Sequence, residues 1–286
     1  MTEISDTIWL VYNEASGSND ERSLAELEEA IAAAGCEIVG RTCFPDDPAP
    51  GPSDLDAAGA GVLAIFGGDG TISSVIRGVY GWGGAVLPLP GGTMNLLSRR
   101  MHGDDAMPSE ILARIGRGKA RKTRPSLIRS RHGDGLTGVL AGPGTEWNEV
   151  REAMREANLL EMLTSTTEAI AWSANGPKVA CRDVDCGRPE GYAAITINPE
   201  DEGLHVKGYF AETIGDYARH GVALLQHDFR NGPHDDLGRH ETIRLVCPAG
   251  EPMGLLIDGE PFDGAAEEVF RLVPSEIDIV TTSDAR

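Results

Sequence analysis

The sequence predicts an α/β first domain on a mostly parallel sheet, followed by an antiparallel β-sandwich-like second domain. In the first third of the chain, short apolar runs alternate with helix-patterned stretches, the signature of a sheet covered on both faces. Later, β-like segments recur with turn signals about every 8–12 residues. At 286 residues, 41% hydrophobic and 24% charged, the chain can fill two modest cores. The boundary is expected at Pro125, giving domains 1–124 and 125–286, with the last strand or strands returning to the first domain.

Residues 7–12 form a first buried strand that runs into the polar turn Asn13-Glu-Ala-Ser-Gly17. Ser18 and Glu21 have the spacing of a capping box, so a helix starts there. Leu24, Leu27, Ala30 and Ile31 share one face of it, and Gly35 is placed to cap its end. Residues 37–42 read as a strand, and 44–52, with four prolines, as a loop. Residues 61–66 form a buried strand, followed by the turn Gly67-Gly68-Asp69-Gly70-Thr71 and a helix from Ile72. That helix repeats Ile72, Val75, Ile76 and Val79 on one face. The strand at 84–89 ends in Pro90-Gly-Gly-Thr-Met-Asn95, with a helix from Leu96. Ligands of parallel sheets bind at the carboxyl ends of strands, where all three glycine turns are expected. Further on, 146–163 and 214–227 are helix-patterned, and strands are expected at 178–183, 192–197, 204–209, 242–246, 253–257, 268–273 and 277–280.

The Gly67–Thr71 turn suggests phosphate chemistry. Glycines let backbone N–H groups approach an anion, and the following helix points its positive end at the same place. A carboxylate there, Asp69, makes sense if Mg²⁺ lies between it and the phosphates, or if it takes or orients a proton. Neither G-x-x-x-x-G-K-[ST] nor G-x-G-x-x-G occurs. A net charge of -20 argues against unspecific nucleic-acid binding. The five scattered cysteines lack C-x-x-C spacing and read as reduced thiols of a cytosolic protein. No secretory signal or transmembrane run is visible. The stretch 114–131 carries eight Lys/Arg residues, and reads either as a patch for anionic lipid headgroups or as a solvated interdomain segment. The seven histidines show no ligand spacing and are expected on the surface.

These motifs together resemble the diacylglycerol kinase catalytic-domain family, the superfamily that also holds sphingosine kinases and bacterial soluble lipid kinases. Its N-P-x-S-G appears as Asn13-Glu-Ala-Ser-Gly17, its G-G-D-G-T at Gly67–Thr71, and its P-x-G-T-x-N-D as Pro90-Gly-Gly-Thr-Met-Asn95-Leu96. A D-G-E triplet follows late, at Asp258-Gly259-Glu260. The resemblance covers nearly the whole chain and implies an NAD kinase/diacylglycerol kinase-like fold, with the nucleotide between the two domains. It implies that Asn13, Ser16, Gly17, Thr42, Gly67, Gly68, Asp69, Gly70, Thr71, Thr93 and Asn95 surround ATP. It further implies that Asp69 acts through Mg²⁺ or proton transfer, and that Glu260, with Asp258 beside it, is the general base for a lipid hydroxyl. Without the upstream turns, Asp258-Gly259 would read as a hairpin turn. Three positions depart from the family pattern: Glu14 replaces proline, Leu96 replaces an acidic residue, and Glu202 stands where a structural Mg²⁺ loop has aspartate. That loop would involve Pro199, Glu202 and Leu204.

The expected activity is ATP- and Mg²⁺-dependent phosphorylation of a diacylglycerol-like or other lipid alcohol. The protein is expected in the cytoplasm, with peripheral contact at the inner membrane face and no nucleic-acid partner. Two alternatives stand beside it. An NAD kinase-like enzyme shares G-G-D-G and finds an Asn-Glu pair at Asn148-Glu149. A non-catalytic nucleotide- or lipid-sensing relative would have kept the fold alone.

Overall fold

The computed structural model describes residues 4–13, 21–92, 94–142, 178–182, 187–209 and 234–283. The chain forms two compact units, Met1–Pro125 with Pro274–Arg286, and Ser126–Val273. The first unit starts with β1 (Thr7–Tyr12), α1 (Glu21–Ala33), β2 (Glu37–Cys43) and α2 (Pro52–Ala57). It continues with β3 (Val62–Gly67), α3 (Asp69–Gly78), β4 (Ala85–Pro90), α4 (Leu96–His102), α5 (Pro108–Gly116) and β5 (Arg121–Thr123). Every residue of β3 is buried, as its unbroken apolar run requires of a central strand covered on both sides. The short helix α2 begins where the proline-rich loop ends: Pro52 stands in its first turn, and the Asp54 carboxylate accepts the Gly51 N–H at 2.9 Å.

The second unit holds β6 (Ser126–Ser130), β7 (Gly133–Gly135), β8 (Val139–Ala141), β9 (Ala180–Cys181), β10 (Ala194–Glu200) and β11 (Gly203–Tyr209). They are followed by β12 (His234–His240), β13 (Thr242–Val246), β14 (Gly254–Ile257), β15 (Glu260–Asp263) and β16 (Glu267–Pro274). Two sheets result, in the orders β12-β11-β10-β8-β14-β15 and β7-β6-β16-β13-β9. Ile195, Ile197, Val206, Leu255, Ile243, Leu245 and Phe270 fill one core drawn from both. This is the antiparallel second domain the turn spacing predicts. Tyr192 is fully buried within this core. Its hydroxyl donates to Asp235 at 2.9 Å and accepts the Arg188 N–H, and burial together with Asp235 pushes its pKa up to about 12. The helices expected at 146–163 and 214–227 lie outside the described residues.

The final strand, β17 (Asp278–Thr281), belongs to the first unit's sheet, which runs β2-β1-β3-β4-β17-β5. It pairs parallel with β4 and antiparallel with β5. Helices α1 and α5 cover one face, where Leu27, Ile31, Ile111 and Leu112 pack on Ile8, Leu10, Val62, Ala64 and Leu87. The alternate strand positions Leu63, Ile65 and Val86 are equally buried and point to the other face, where Ile72, Val75 and Ile76 of α3 are buried. His102 departs from the surface expectation. It is 1% exposed, and burial, with help from the Arg114 charge, lowers its pKa to about 4 against the opposing effect of a hydrogen bond to Pro88.

Candidate functional site

Strands β1, β3 and β4 are parallel neighbours, so their carboxyl ends share one edge. The helix after β1 packs on one face and the helix after β3 on the other, so the chain switches direction between these two strands, the place where sheets of this kind bind ligands. Asn13 stands at the end of β1, Gly67–Thr71 at the end of β3, and Gly91–Asn95 at the end of β4.

The glycine turn is tighter than the sequence suggests. Gly67 still belongs to β3, Gly68 is an extended N-cap (φ -78°, ψ 172°), and α3 starts at Asp69 rather than at Ile72. Ile72 N–H donates to Gly68 O at 3.0 Å, closing the first helical turn. Asp69 in that turn is favoured by the positive end of the helix dipole. Gly70 and Thr71 therefore present first-turn N–H groups of a ten-residue helix, groups that lack partners within the helix itself.

Hydrogen bonds join the three chain segments. Asn13 Nδ2 donates to Thr71 Oγ1 at 2.9 Å, and Asn13 N–H donates to Phe66 O, tying β1 to β3 and α3. Gly91 N–H donates to Gly67 O, and Leu97 N–H donates to Asp69 Oδ1 at 3.3 Å, tying β4 and α4 to the same place. Asn95 adopts a left-handed conformation (φ 51°), and its amide both accepts from Gly92 N–H and donates to Gly92 O at 2.8 Å. A Cβ at Gly92 would lie 2.5 Å from Gly68 Cα, so the two glycine turns touch backbone to backbone. Thr42 sits one strand away, opposite Val11 near the end of β2; it is buried and accepts the Trp9 indole N–H at 3.0 Å. Ser16, Gly17 and Thr93 lie outside the described residues, as do Glu14 and the Asn148-Glu149 pair. The Asn13–Thr71 bond and the Leu97 amide on Asp69 are contacts that no sequence spacing announces.

In the second unit, Asp258 and Gly259 form the two-residue turn between β14 and β15, both with positive φ (53° and 86°). That is a type I′ hairpin, for which Asp-Gly is suited. Asp258 is also buried, and its carboxylate accepts from Leu136 N–H, Thr137 N–H, Thr137 Oγ1–H and Gly138 N–H. It thus fixes the segment between β7 and β8, a structural duty that occupies both oxygens. Glu260 is exposed on the edge strand β15 and makes no ion pair among the described residues. Of the residues considered for a metal loop, Pro199 and Leu204 face each other in the β10–β11 register, with the Leu204 side chain in the core. Glu202 is exposed, 3.9 Å from Arg239. Among the described residues no three His, Cys, Asp or Glu side chains gather as metal ligands.

The basic stretch is partly absorbed by structure. Arg114 pairs with Glu110, Arg124 with Asp278, Arg129 with buried Asp134, and Arg131 with buried Glu268. Arg117, Lys119 and Arg121 remain exposed, and Lys122 is half-buried. A pocket of about 570 Å³ opens before β1, β3 and β4, between Asp6, Asp56, Trp82 and Lys122; none of the three turns lines it. No helix among the described residues is long and apolar enough to cross a membrane.

Residues 7–126 match the family model for the diacylglycerol kinase catalytic domain. The fold resembles that of a diacylglycerol kinase from Bacillus anthracis str. Sterne, with a TM-score of 0.61, 15% identity, and 96% of this chain and 97% of that chain covered. Two further structures assigned to such a kinase in the same organism match with TM-scores of 0.63 and 0.59, each at 15% identity over 96% of this chain. They cover 97% and 96% of the other chain, respectively. No curated protein matches the sequence.

Proposed function

We propose that the chain, whose residues 7–126 match the family model for the diacylglycerol kinase catalytic domain, is a lipid kinase that transfers the γ-phosphate of ATP to the hydroxyl of a diacylglycerol-like or other lipid alcohol. The observation that carries this reading is the convergence of Asn13, Gly67–Thr71 and Gly91–Asn95 at one sheet edge, with backbone contact between the glycine turns. Backbone N–H groups at the start of α3 suit the phosphates, and the lack of side chains on Gly67, Gly68 and Gly70 lets an anion come close. Asn13 and Thr71 hold each other in place beside them.

Asp69 offers the hard oxygen donor that Mg²⁺ takes, and its bond from Leu97 N–H fixes its orientation. With the nucleotide bound, Mg²⁺ held there would neutralise charge on the phosphates. Glu260 takes the base role: an alcohol is a poor nucleophile, and a carboxylate within reach of its proton helps it attack in line. Asp258 is assigned the separate task of holding the hairpin that carries Glu260. The acceptor places the enzyme at a membrane surface as a peripheral protein of the cytoplasm.

Labelled ATP with Mg²⁺, offered a lipid extract or NAD, tests the reading. Label is expected in the lipid phase. Label in NADP would instead identify an NAD kinase, and label in neither product a non-catalytic relative.

A further inference from the structure

We infer that Ser98 and His102 are positioning residues: by clamping α4 to the carbonyl of Pro88 they set where the Gly91–Asn95 turn stands against the Gly67–Thr71 turn. The structural part rests on hydrogen bonds within the first unit, and the kinetic part rests on the nucleotide-site reading above.

The clamp begins with an imino acid inside a strand. Pro88 faces Ile65 of β3 in register but has no N–H to donate to a neighbour on its other side. Strand β17 pairs with β4 only at Ala85 and Val86. Beyond that point, α4 supplies the missing partners. Ser98 Oγ donates to Pro88 O at 3.1 Å, and His102 Nε2 makes a second bond to the same oxygen at 3.1 Å. Residues four apart lie on one face of a helix, so both reach one carbonyl and together satisfy it.

The donors and acceptors are consistent throughout. A carbonyl can only accept, so Nε2 carries the ring proton and Nδ1 is the acceptor. Thr282 Oγ1 stands 3.0 Å from Nδ1 and donates to it. Thr281 Oγ1, Thr282 N–H and Ser283 N–H all donate to Met101 O at the end of the same helix. Ser98, His102, Thr281 and Thr282 are all buried. An apolar side chain at 102 would pack against the strand but would leave α4 able to slide or turn. A satisfied polar network in a low-dielectric interior fixes one position.

The consequence falls on the turn. Pro88 lies three residues before Gly91 and Ser98 three residues after Asn95, so one carbonyl holds both ends of the loop. Next to Ser98 is Leu97, whose N–H meets Asp69. A helix free to shift would loosen that bond together with the Gly92–Gly68 contact.

The test uses His102→Leu and Ser98→Ala in the full-length chain, with His102→Gln as a conservative variant whose amide can donate to Pro88 O. Amide exchange at Gly92 and Leu97 is expected to quicken about tenfold in His102→Leu and less in Ser98→Ala, relative to β3 amides. The KM for ATP is expected to rise about fivefold with kcat within about twofold, and His102→Gln to restore both. Unchanged exchange at Gly92 and Leu97, or a lower melting temperature with unchanged KM, overturns the inference. If His102→Leu does not fold, Ser98→Ala decides by the same readouts. If the parent neither binds nor uses ATP, the nucleotide reading fails, while the exchange data still decide the role of the clamp.

Discussion

Gly92→Ala is expected to weaken nucleotide binding about a hundredfold and to cost about 3 kcal/mol of stability. The added Cβ would sit 2.5 Å from Gly68 Cα, far inside van der Waals contact. The obstacle is backbone, so no side-chain rotation relieves it. The two turns must move apart, and the Leu97–Asp69 and Gly91–Gly67 bonds must lengthen with them. Gly78→Ala is the control, because a Cβ there meets nothing within 4 Å and the site is the last residue of α3. It should be neutral or slightly stabilising. Urea unfolding and nucleotide titration of the two variants check this, and a Gly92→Ala protein that binds nucleotide like the parent would show that contact between the turns does not form the site.

Glu260→Gln is expected to lower kcat by about 10² to 10⁴ at an unchanged KM for nucleotide, the loss characteristic of a missing general base. Glu260 pairs with Ile257 across the hairpin through its backbone, and its side chain is exposed, so the substitution should leave folding intact. Asp69→Asn should behave differently. Asparagine keeps an oxygen for the Leu97 N–H but loses the charge, so the Mg²⁺ concentration for half-maximal rate should rise about tenfold or more. Initial rates titrated with Mg²⁺ and with ATP separate the two carboxylates. Parent-like turnover of Glu260→Gln removes it as the base, and an unchanged Mg²⁺ requirement in Asp69→Asn removes the metal role.

What the sequence made legible was local. The buried strands, the face of α3 at Ile72, Val75, Ile76 and Val79, and the Asp258-Gly259 turn follow from periodicity and turn chemistry within a few residues. What it left hidden depends on partners distant along the chain. His102 looks like any exposed polar residue until Pro88 and Thr282, 14 and 180 positions away, close around it. Arg124 and Arg131 look like part of a cationic surface until Asp278 and Glu268 pair with them. The start of α3 at Asp69 is hidden for another reason. Gly68, Asp69 and Gly70 have low helix propensity, yet first-turn positions favour the charge of Asp69 and do not need the propensity of a helix interior. At Asp258 two roles were in view, hairpin turn and partner of the base. Its positive φ at the β14–β15 turn accounts for the first, and its carboxylate also accepts four hydrogen bonds from residues 136–138, partners that no local pattern announces.

The central claim is that the carboxyl edge of β1, β3 and β4 binds the phosphates of ATP. Amide hydrogen exchange with and without millimolar Mg–ATP tests it most directly. Slowed exchange is expected to concentrate at residues 68–71 and 91–97, with little change on the strands beneath. Protection confined to other parts of the chain, such as the pocket between Asp6, Asp56, Trp82 and Lys122, or no protection at all, would contradict it.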